Sequence, residues 1–255
     1  MARYFIQVSY NGAKYAGFQI QKNANSVQAE IEKALKIYFR VDFMLTCSSR
    51  TDAGVHALSN YFHFDSEILP PQHKIDSLIY NLNAILPPDI VIKKIYHVAP
   101  DAHSRFDAAS REYMYYIYQH KDPFLADRAY YYPYTLDIDK LQEAALLITR
   151  YIDFTSFSKR KTQVKTFNCS ISKSNWIYKD DCIVYNVQAN RFLRGMVKGL
   201  VGTMLKVGTG KISMDNFQRI IESKDCSKAD FSVPSHGLFL INVWYPGGLL
   251  NESGK

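Results

Sequence analysis

The segment from Ser48 to Ala57 concentrates the side chains of this sequence that could do chemistry. It reads Ser-Ser-Arg-Thr-Asp-Ala-Gly-Val-His-Ala, so one carboxylate, Asp52, lies close to a cation, Arg50, and an imidazole, His56. Such a carboxylate can serve as a nucleophile or a general base. The local sequence alone favours a structural reading, because Asp can hydrogen-bond to the backbone that follows it and Gly supplies a positive φ in a turn. In that reading Arg50 is an ordinary ion-pair partner and His56 an ordinary buried ring.

The positive charge of the chain is confined to one stretch. The 255 residues carry 31 Lys and Arg against 24 Asp and Glu, a net charge of +7. Residues 159–198, here called the basic segment, account for all of this excess, since the remaining residues contain basic and acidic side chains in equal number. A basic surface attracts polyanions such as nucleic acid. A solvated basic face without a partner is the alternative interpretation.

Cysteine spacing and hydropathy exclude several classes of protein. The four cysteines form no C-x-x-C pair and have no His-rich neighbourhood, so neither a zinc site nor a disulfide framework is indicated. The sequence opens directly into strand-like residues without the pattern of a signal peptide, and no uncharged apolar run approaches the roughly 20 residues that span a bilayer. We therefore expect a cytoplasmic protein with no membrane association and no bound metal.

Hydrophobic periodicity and turn signals predict an α+β fold. Val27, Ile31 and Leu35 form one apolar stripe behind Asn25, the predicted N-cap of the first helix. Helices are predicted at 26–39, 74–86, 139–150, 191–207 and 213–223. Strands are predicted at 3–10, 43–48, 60–65, 90–98, 111–119, 130–134, 166–178, 182–189 and 238–245. This mixture, with hairpin-like neighbours, favours a mainly antiparallel sheet.

The same pattern indicates two similar α/β halves. Each half begins with a Tyr-rich strand preceded by an arginine, at Arg3 and at Arg111. We expect an N-terminal domain at 1–105 that carries the Asp-containing loop and a C-terminal domain at 106–246 that carries the basic segment. Residues 247–255 are Gly-rich and polar, which predicts a flexible tail.

The predicted helix at 191–207 combines cations and glycines. At 100° per residue, Arg191, Arg194 and Lys198 fall within an arc of about 60°. Three glycines gather beside this basic stripe: Gly195, Gly199 and Gly202. Each glycine costs a helix roughly 1 kcal/mol relative to Ala, so three on one face indicate that something approaches the backbone closely. A neighbouring strand and a bound substrate are the two candidates.

The segment around Asp52 resembles the signature of the TruA family of tRNA pseudouridine synthases, Gly-Arg-Thr-Asp-x-Gly-Val-His-Ala, in which the Asp is the nucleophile. Further segments resemble the family in the same order along nearly the whole chain. They are residues 10–19, 26–28, 62–64, 83, 86–87, 89–90, 103–106, 111–115, 153–157, 190–197, 237–238 and 245–246. Two positions depart from the family pattern. Ser49 replaces the usual Gly, and Lys198 replaces the usual Arg and so loses the planar two-pronged contact with a carboxylate.

This resemblance implies the pseudouridine synthase fold, in which two ferredoxin-like halves form a continuous, mainly antiparallel sheet flanked by helices. It also implies a homodimer that isomerises uridine to pseudouridine at positions 38, 39 and 40 in the anticodon stem-loop of tRNA. The isomerisation neither gains nor loses atoms, so no cofactor is expected. The sequence contains no phosphate-loop or dinucleotide motif, which agrees with that expectation.

The resemblance further implies roles for individual residues. An ionised Asp52 would either attack C1′ of the ribose or remove its C2′ proton, and the sequence leaves both routes open. It would lie in a partly buried pocket, where a neighbouring cation, Arg50 or Lys198, would favour its charged form. Arg50 would also help to extrude the target base or hold the flipped backbone. Tyr113 would stack on the flipped base, although cross-strand packing is the reading from its strand alone.

The basic segment would bind RNA phosphates, with Arg191, Arg194 and Lys198 among the substrate-binding residues. Two rival functions are considered. A non-catalytic RNA-binding module on the same scaffold would need the basic face but not Asp52. A glycosidase-like hydrolase commonly uses two carboxylates, and the sequence shows no second acidic residue beside Asp52.

Overall fold

The computed structural model describes residues 1–160 and 164–250, and over these residues the fold is mixed α/β, with a nine-stranded mixed sheet and five α-helices. The strands are β1 Ala2–Tyr10, β2 Thr46–Cys47, β3 His56–Ser66, β4 Ile90–Val98, β5 Ser110–Tyr118, β6 Tyr130–Tyr131, β7 Ile171–Lys179, β8 Cys182–Ala189 and β9 Leu238–Trp244. The helices are α1 Val27–Phe39, α2 Ile75–Ile85, α3 Ile138–Ile148, α4 Met196–Gly208 and α5 Met214–Glu222. The predicted α+β class is confirmed.

The chain divides into two compact units. Unit 1 comprises residues 1–109 together with the chain from Leu240 onward, and unit 2 comprises residues 110–239. The last strand, β9, begins at the end of unit 2 and continues into unit 1.

In unit 1, β1 pairs antiparallel with both β3 and β4, and the strand order is β4-β1-β3-β9. Alternate residues of β1, Ile6, Val8 and Tyr10, are buried on one face of the sheet, and Ile6 pairs there with the buried Phe62 of β3. Ser26 caps α1 instead of the predicted Asn25, because its backbone is extended and its hydroxyl accepts a hydrogen bond from the amide of Ala29.

In unit 2, β8 pairs antiparallel with β5 and β7, and β6 pairs parallel with β5. The predicted hairpin between β7 and β8 is present, and both of its turn residues, Asp180 and Asp181, have positive φ. Tyr115 of β5 and Tyr185 of β8 are fully buried. The aromatic enrichment of these strands therefore serves mainly the core of this unit.

Helix α4 differs most from its prediction. It begins at Met196 and not at residue 191, because Gly195 adopts the left-handed conformation with φ +74° and ends the preceding loop. Arg191 and Arg194 therefore precede the helix, and the predicted basic stripe on one helical face is wrong.

Close packing against α4 accounts for its glycines at positions 199 and 202. A Cβ atom on Gly202 would lie 2.3 Å from the carbonyl oxygen of Asp230, and one on Gly199 would lie 2.8 Å from the ring of Phe231. The segment at 230–231 thus occupies the glycine face of the helix. Of the two candidates from the sequence, the structure supports a neighbouring protein segment.

The described part of the predicted tail, residues 247–250, forms a turn. Leu249 and Leu250 pack against a cluster of unit 1 that contains Phe5, Val98 and Ala102. Residues 251–255 lie outside the described residues. None of the helices in the described ranges has the length and apolar character needed to cross a membrane.

Candidate active site

The Asp52 segment is a turn, as its local sequence predicts. The amide of Val55 donates to the carbonyl oxygen of Asp52 at 3.2 Å, and Gly54 supplies the positive φ, +77°. Thr51 and Val55 point into the protein and are buried, whereas Asp52 is exposed. The prediction of a partly buried carboxylate is therefore wrong in this structure, because the turn directs the side chain of Asp52 away from the core.

Buried hydrogen bonds fix this turn from the side of the sheet. The hydroxyls of Tyr10 and Thr51 are 2.8 Å apart, and both side chains are buried. The side-chain amide nitrogen of Asn60, Nδ2, donates to the hydroxyl of Tyr10 at 3.2 Å and to the backbone carbonyl oxygen of Ser49 at 2.9 Å. Hydrogen bonds in such a water-excluded place are strengthened by the low local dielectric. Strands β1 and β3 thus position the backbone on both sides of Asp52.

The loop after β1 holds the turn from a second side. The amide of Gly12 donates to Nδ1 of His56 at 3.1 Å, and the amide of Phe18 donates to the carbonyl of Thr51 at 3.1 Å. The amide of Gly54 donates in return to the carbonyl of Tyr15 at 3.2 Å. His56 is buried, as one sequence interpretation expected, and its Nδ1 acts as an acceptor. Segments 10–19 and 48–57 therefore form one structural entity.

Gly12 is required at the closest point between these segments. A Cβ atom there would lie 1.9 Å from the carbonyl oxygen of Val55. By contrast, Ser49, which departs from the family pattern, is buried with a hydroxyl that has no hydrogen-bond partner among the described residues. The loop thus accommodates the larger side chain without using its polar group.

A cavity of about 290 Å³ lies beside the turn within unit 1. Its walls include the exposed Arg50 together with Cys47 and Gln28. Burial raises the pKa of the Cys47 thiol, and the cations of Arg50 and Arg105 only partly oppose this effect. The sequence analysis did not single out this cavity.

The cavity is also lined by three residues of the segment 102–107, which are His103, Arg105 and Phe106. Nδ1 of His103 accepts hydrogen bonds from the amides of Arg105 at 3.1 Å and Phe106 at 3.4 Å. The amide of His103 donates to the carboxylate of Asp107 at 2.7 Å. These bonds within the segment fix the backbone from which the side chains of Arg105 and Phe106 project.

Strand β3 anchors the same segment through His63. Nδ1 of His63 accepts a hydrogen bond from the amide of Ser104 at 3.2 Å, and the Ser104 hydroxyl donates to the carbonyl of Thr46 at 2.9 Å. Burial, together with smaller effects of the neighbouring His103 and Arg3, lowers the pKa of His63 to about 4. A neutral ring is what the acceptor role of Nδ1 requires.

In unit 2, the sequence-predicted Tyr113 lies on β5 opposite Val187 and is half-buried. Its ring makes an edge contact with the ring of Phe192, with centroids 5.0 Å apart at an interplanar angle of 80°. This contact holds the Tyr113 ring in one orientation from the side of the loop at 190–195.

The three predicted cations of unit 2 lie around the start of α4. Arg191 is half-buried and Arg194 is exposed, and both belong to the loop before the helix. Lys198 is in the first turn of α4 and donates to the hydroxyl of Ser235 at 3.2 Å. The buried guanidinium of Arg111 anchors this loop by donating to the carbonyl of Asn190 at 3.0 Å.

The rest of the basic segment is partly neutralised. Lys173 pairs with Glu112 at 3.3 Å, and Arg160 lies 3.9 Å from Asp225. Lys161 lies outside the described residues. The cations of this segment that were predicted to bind the substrate lie in the loop at 190–195 and in the first turn of α4.

Comparison with known proteins identifies the family. The sequence model of the tRNA pseudouridine synthase family matches residues 152–246. The tRNA pseudouridine synthase A of Parabacteroides distasonis is 48% identical over 246 residues, which cover 96% of this chain and 97% of that protein. The chain belongs to the tRNA pseudouridine synthase family.

More distant members of the family match over a similar length. The tRNA pseudouridine synthase A of Bacteroides fragilis is 47% identical over 96% of both chains. That of Staphylococcus aureus is 35% identical over 95% of this chain and 90% of its own. These matches extend over nearly the whole chain and so involve residues of both units.

We predict that Gly12→Ala displaces the Asp52 turn. The added methyl group overlaps the Val55 carbonyl, so the free energy of unfolding should fall by about 3 kcal/mol. Hydrogen–deuterium exchange should become faster at the amides of Phe18 and Gly54, which donate across the two segments. Gly247→Ala is the control, because no atom lies within 4 Å of its added Cβ. Equal stability and exchange in the two variants would contradict the prediction.

We also predict that His63 makes the stability depend on pH. In the unfolded chain His63 takes up a proton near pH 6.5, whereas in the folded protein it takes one up only near pH 4. Acidification between these values therefore favours the unfolded state, and about 2 kcal/mol should be lost between pH 7.5 and pH 5. His63→Asn retains a hydrogen-bond acceptor and does not titrate, so its urea-unfolding stability should fall less over the same range. Parallel pH profiles for the two proteins would show the prediction to be wrong.

Proposed function

We propose that this protein isomerises uridine to pseudouridine at positions 38, 39 and 40 in the anticodon stem-loop of tRNA, with Asp52 as the reacting carboxylate. The observation that carries the proposal is the position of Asp52 on an exposed turn whose two flanks are anchored in the core. This arrangement presents a carboxylate to a large ligand and keeps its backbone fixed, as a reaction on an extruded nucleotide requires.

The reaction can be balanced without any other reagent. The bond between N1 of uracil and C1′ of the ribose breaks, the base turns, and a bond forms between C5 and C1′. The proton on C5 is then lost and N1 gains one, so the composition of the nucleotide is unchanged. Asp52 begins the sequence in one of two ways. It attacks C1′ as the N1–C1′ bond breaks, and the Asp52–C1′ bond breaks again when C5 bonds to C1′; or it removes the C2′ proton as uracil leaves and returns that proton to C2′ when C5 bonds to C1′.

The remaining site residues have roles in holding the flipped nucleotide. We assign Tyr113 as the surface on which the target base stacks, because Phe192 fixes its ring by an edge contact. Arg50 helps to extrude the base or holds the flipped backbone. Arg191, Arg194 and Lys198 bind phosphates, since the first two are in the loop before α4 and the third is in its first turn.

We further propose that the enzyme works as a cytoplasmic homodimer, as the family resemblance implies. Its halves at 1–105 and 106–246 would divide the task, with the carboxylate on the first and the basic segment on the second.

The proposal predicts that Asp52→Asn abolishes pseudouridine formation. The amide has nearly the same shape but cannot act as nucleophile or base, so the single-turnover rate should fall by about three orders of magnitude or more. The measurement uses an unmodified tRNA transcript and maps pseudouridine by mass spectrometry after pseudouridine-specific derivatisation with a carbodiimide, because the two isomers have the same mass. The affinity for tRNA should stay within about threefold of wild type, because the phosphate contacts remain.

The control is Asp42→Asn, which removes an exposed carboxylate of unit 1 that pairs with Lys36. It should retain wild-type activity. Pseudouridine formation by Asp52→Asn at the wild-type rate would remove the catalytic role of Asp52. If the wild-type protein binds tRNA but forms no pseudouridine, it is an RNA-binding module, and release of free uracil would identify a hydrolase.

A further inference from the structure

The cavity beside the Asp52 turn has the chemistry of a nucleotide site. Two guanidinium groups, Arg50 and Arg105, line it together with the aromatic ring of Phe106 and the amide of Gln28. Its volume of about 290 Å³ is sufficient for one base-sized group and too small for a folded element of another protein. Cations together with an exposed aromatic ring favour a ligand with a negative charge and a flat face.

Phe106 is a large apolar side chain that lies mostly in water. It is 74% exposed, and it projects from a segment whose other residues are anchored in unit 1. The ring of His103 lies 4.2 Å from the Phe106 ring, and the guanidinium of Arg105 lies 5.9 Å from its centroid. An aromatic ring that the core does not need is available to stack on a nucleobase, an interaction that every base can make.

The segment that presents Phe106 is preorganised. Its start is held by Arg3, which donates to the carbonyl of Ala102 at 2.9 Å and forms a two-pronged pair with Asp65. Its centre is held by His63 and by Tyr245, whose hydroxyl donates to the carbonyl of Ser104 at 2.6 Å. A ring on a fixed backbone loses little conformational entropy when a ligand stacks on it.

One residue that lines the cavity is close to Asp52 along the chain, since Arg50 precedes Asp52 by two residues. A nucleotide that contacts Arg50 in the cavity would therefore lie close to a uridine held at Asp52.

We propose that this cavity binds a second nucleotide of the RNA, adjacent to the uridine that reacts at Asp52. Its base stacks on Phe106, and its phosphate contacts Arg105 and Arg50. The proposal rests on the proposed function in that the polyanion is tRNA. It adds a binding site, with Phe106 and Arg105 as substrate-contacting residues, that positions the strand for the extrusion of its neighbour.

The test is the affinity for unmodified tRNA, measured in the Asp52→Asn background so that turnover does not interfere. Phe106→Ala should weaken binding about tenfold, while Phe106→Tyr, which keeps the ring, should restore it. The matched control is Tyr80→Ala, since Tyr80 is an aromatic residue of unit 1 that is 75% exposed on α2. It should bind as the parent does. Arg105→Gln should lower the dependence of affinity on salt by about one phosphate contact.

A second measurement locates the nucleotide. A tRNA ligated to contain one abasic nucleotide next to the target uridine lacks the base that would stack on Phe106. With this RNA, Phe106→Ala and its parent should bind equally, because the interaction that the substitution removes is already absent. A persistent tenfold difference on every neighbouring abasic RNA would overturn the assignment of a stacked base.

Failure of this proposal can be told apart from failure of the proposed function. If Phe106→Ala binds tRNA like its parent while the wild-type protein forms pseudouridine, only the second nucleotide site is wrong. If the Phe106 effect is present but the wild-type protein forms no pseudouridine, the site stands and the isomerase function fails. Equal losses in Phe106→Ala and Phe106→Tyr would indicate a structural role for Phe106 and overturn the proposal.

Discussion

The buried hydrogen bonds beneath residues 48–56 are the constraint on which the functional part of unit 1 depends. Asn60 is fully buried, and its amide reaches both Tyr10 and the backbone of Ser49. Replacing any one of these groups would leave a buried donor or acceptor without a partner, which costs about 1–3 kcal/mol. The same bonds fix how far the turn projects from the surface of unit 1. The sheet of unit 1 is thus a support for a polar layer that holds an exposed carboxylate in place.

Most of the fold could be predicted from local patterns, because helices and strands record burial in their own periodicity. Helix α5 was predicted within one residue at each end, and strand β4 was predicted with its observed bounds. The start of α4 could not be predicted in this way. Residues 191–195 have the spacing of a helical face, but the left-handed backbone of Gly195 separates them from the helix. Periodicity describes side chains and carries little information about such a backbone change.

The candidate site divides in the same manner. The turn at Asp52 follows from Asp-Ala-Gly, and its chemical interpretation came from the family resemblance. The roles of His63 and His103 as hydrogen-bond acceptors were not predicted, because their partners are fixed only when distant segments meet. A signal was nevertheless present, since residues 103–106 match the family pattern. Two neutral imidazoles therefore hold this surface in place by hydrogen bonds. A count of charged side chains in the sequence would have identified only its arginines.

The return of the last strand to unit 1 has a consequence for the order in which the protein is made. A ribosome releases residues 110–239, which make up unit 2, before it releases the final segment of unit 1. Until then, Phe5, Val98 and Ala102 lack the cover of Leu249 and Leu250, and Ser104 lacks its bond from Tyr245. Domains generally fold as units during synthesis. The unit that bears Asp52 therefore begins first and is completed last, so a nascent chain can have a complete unit 2 before it has a complete unit 1.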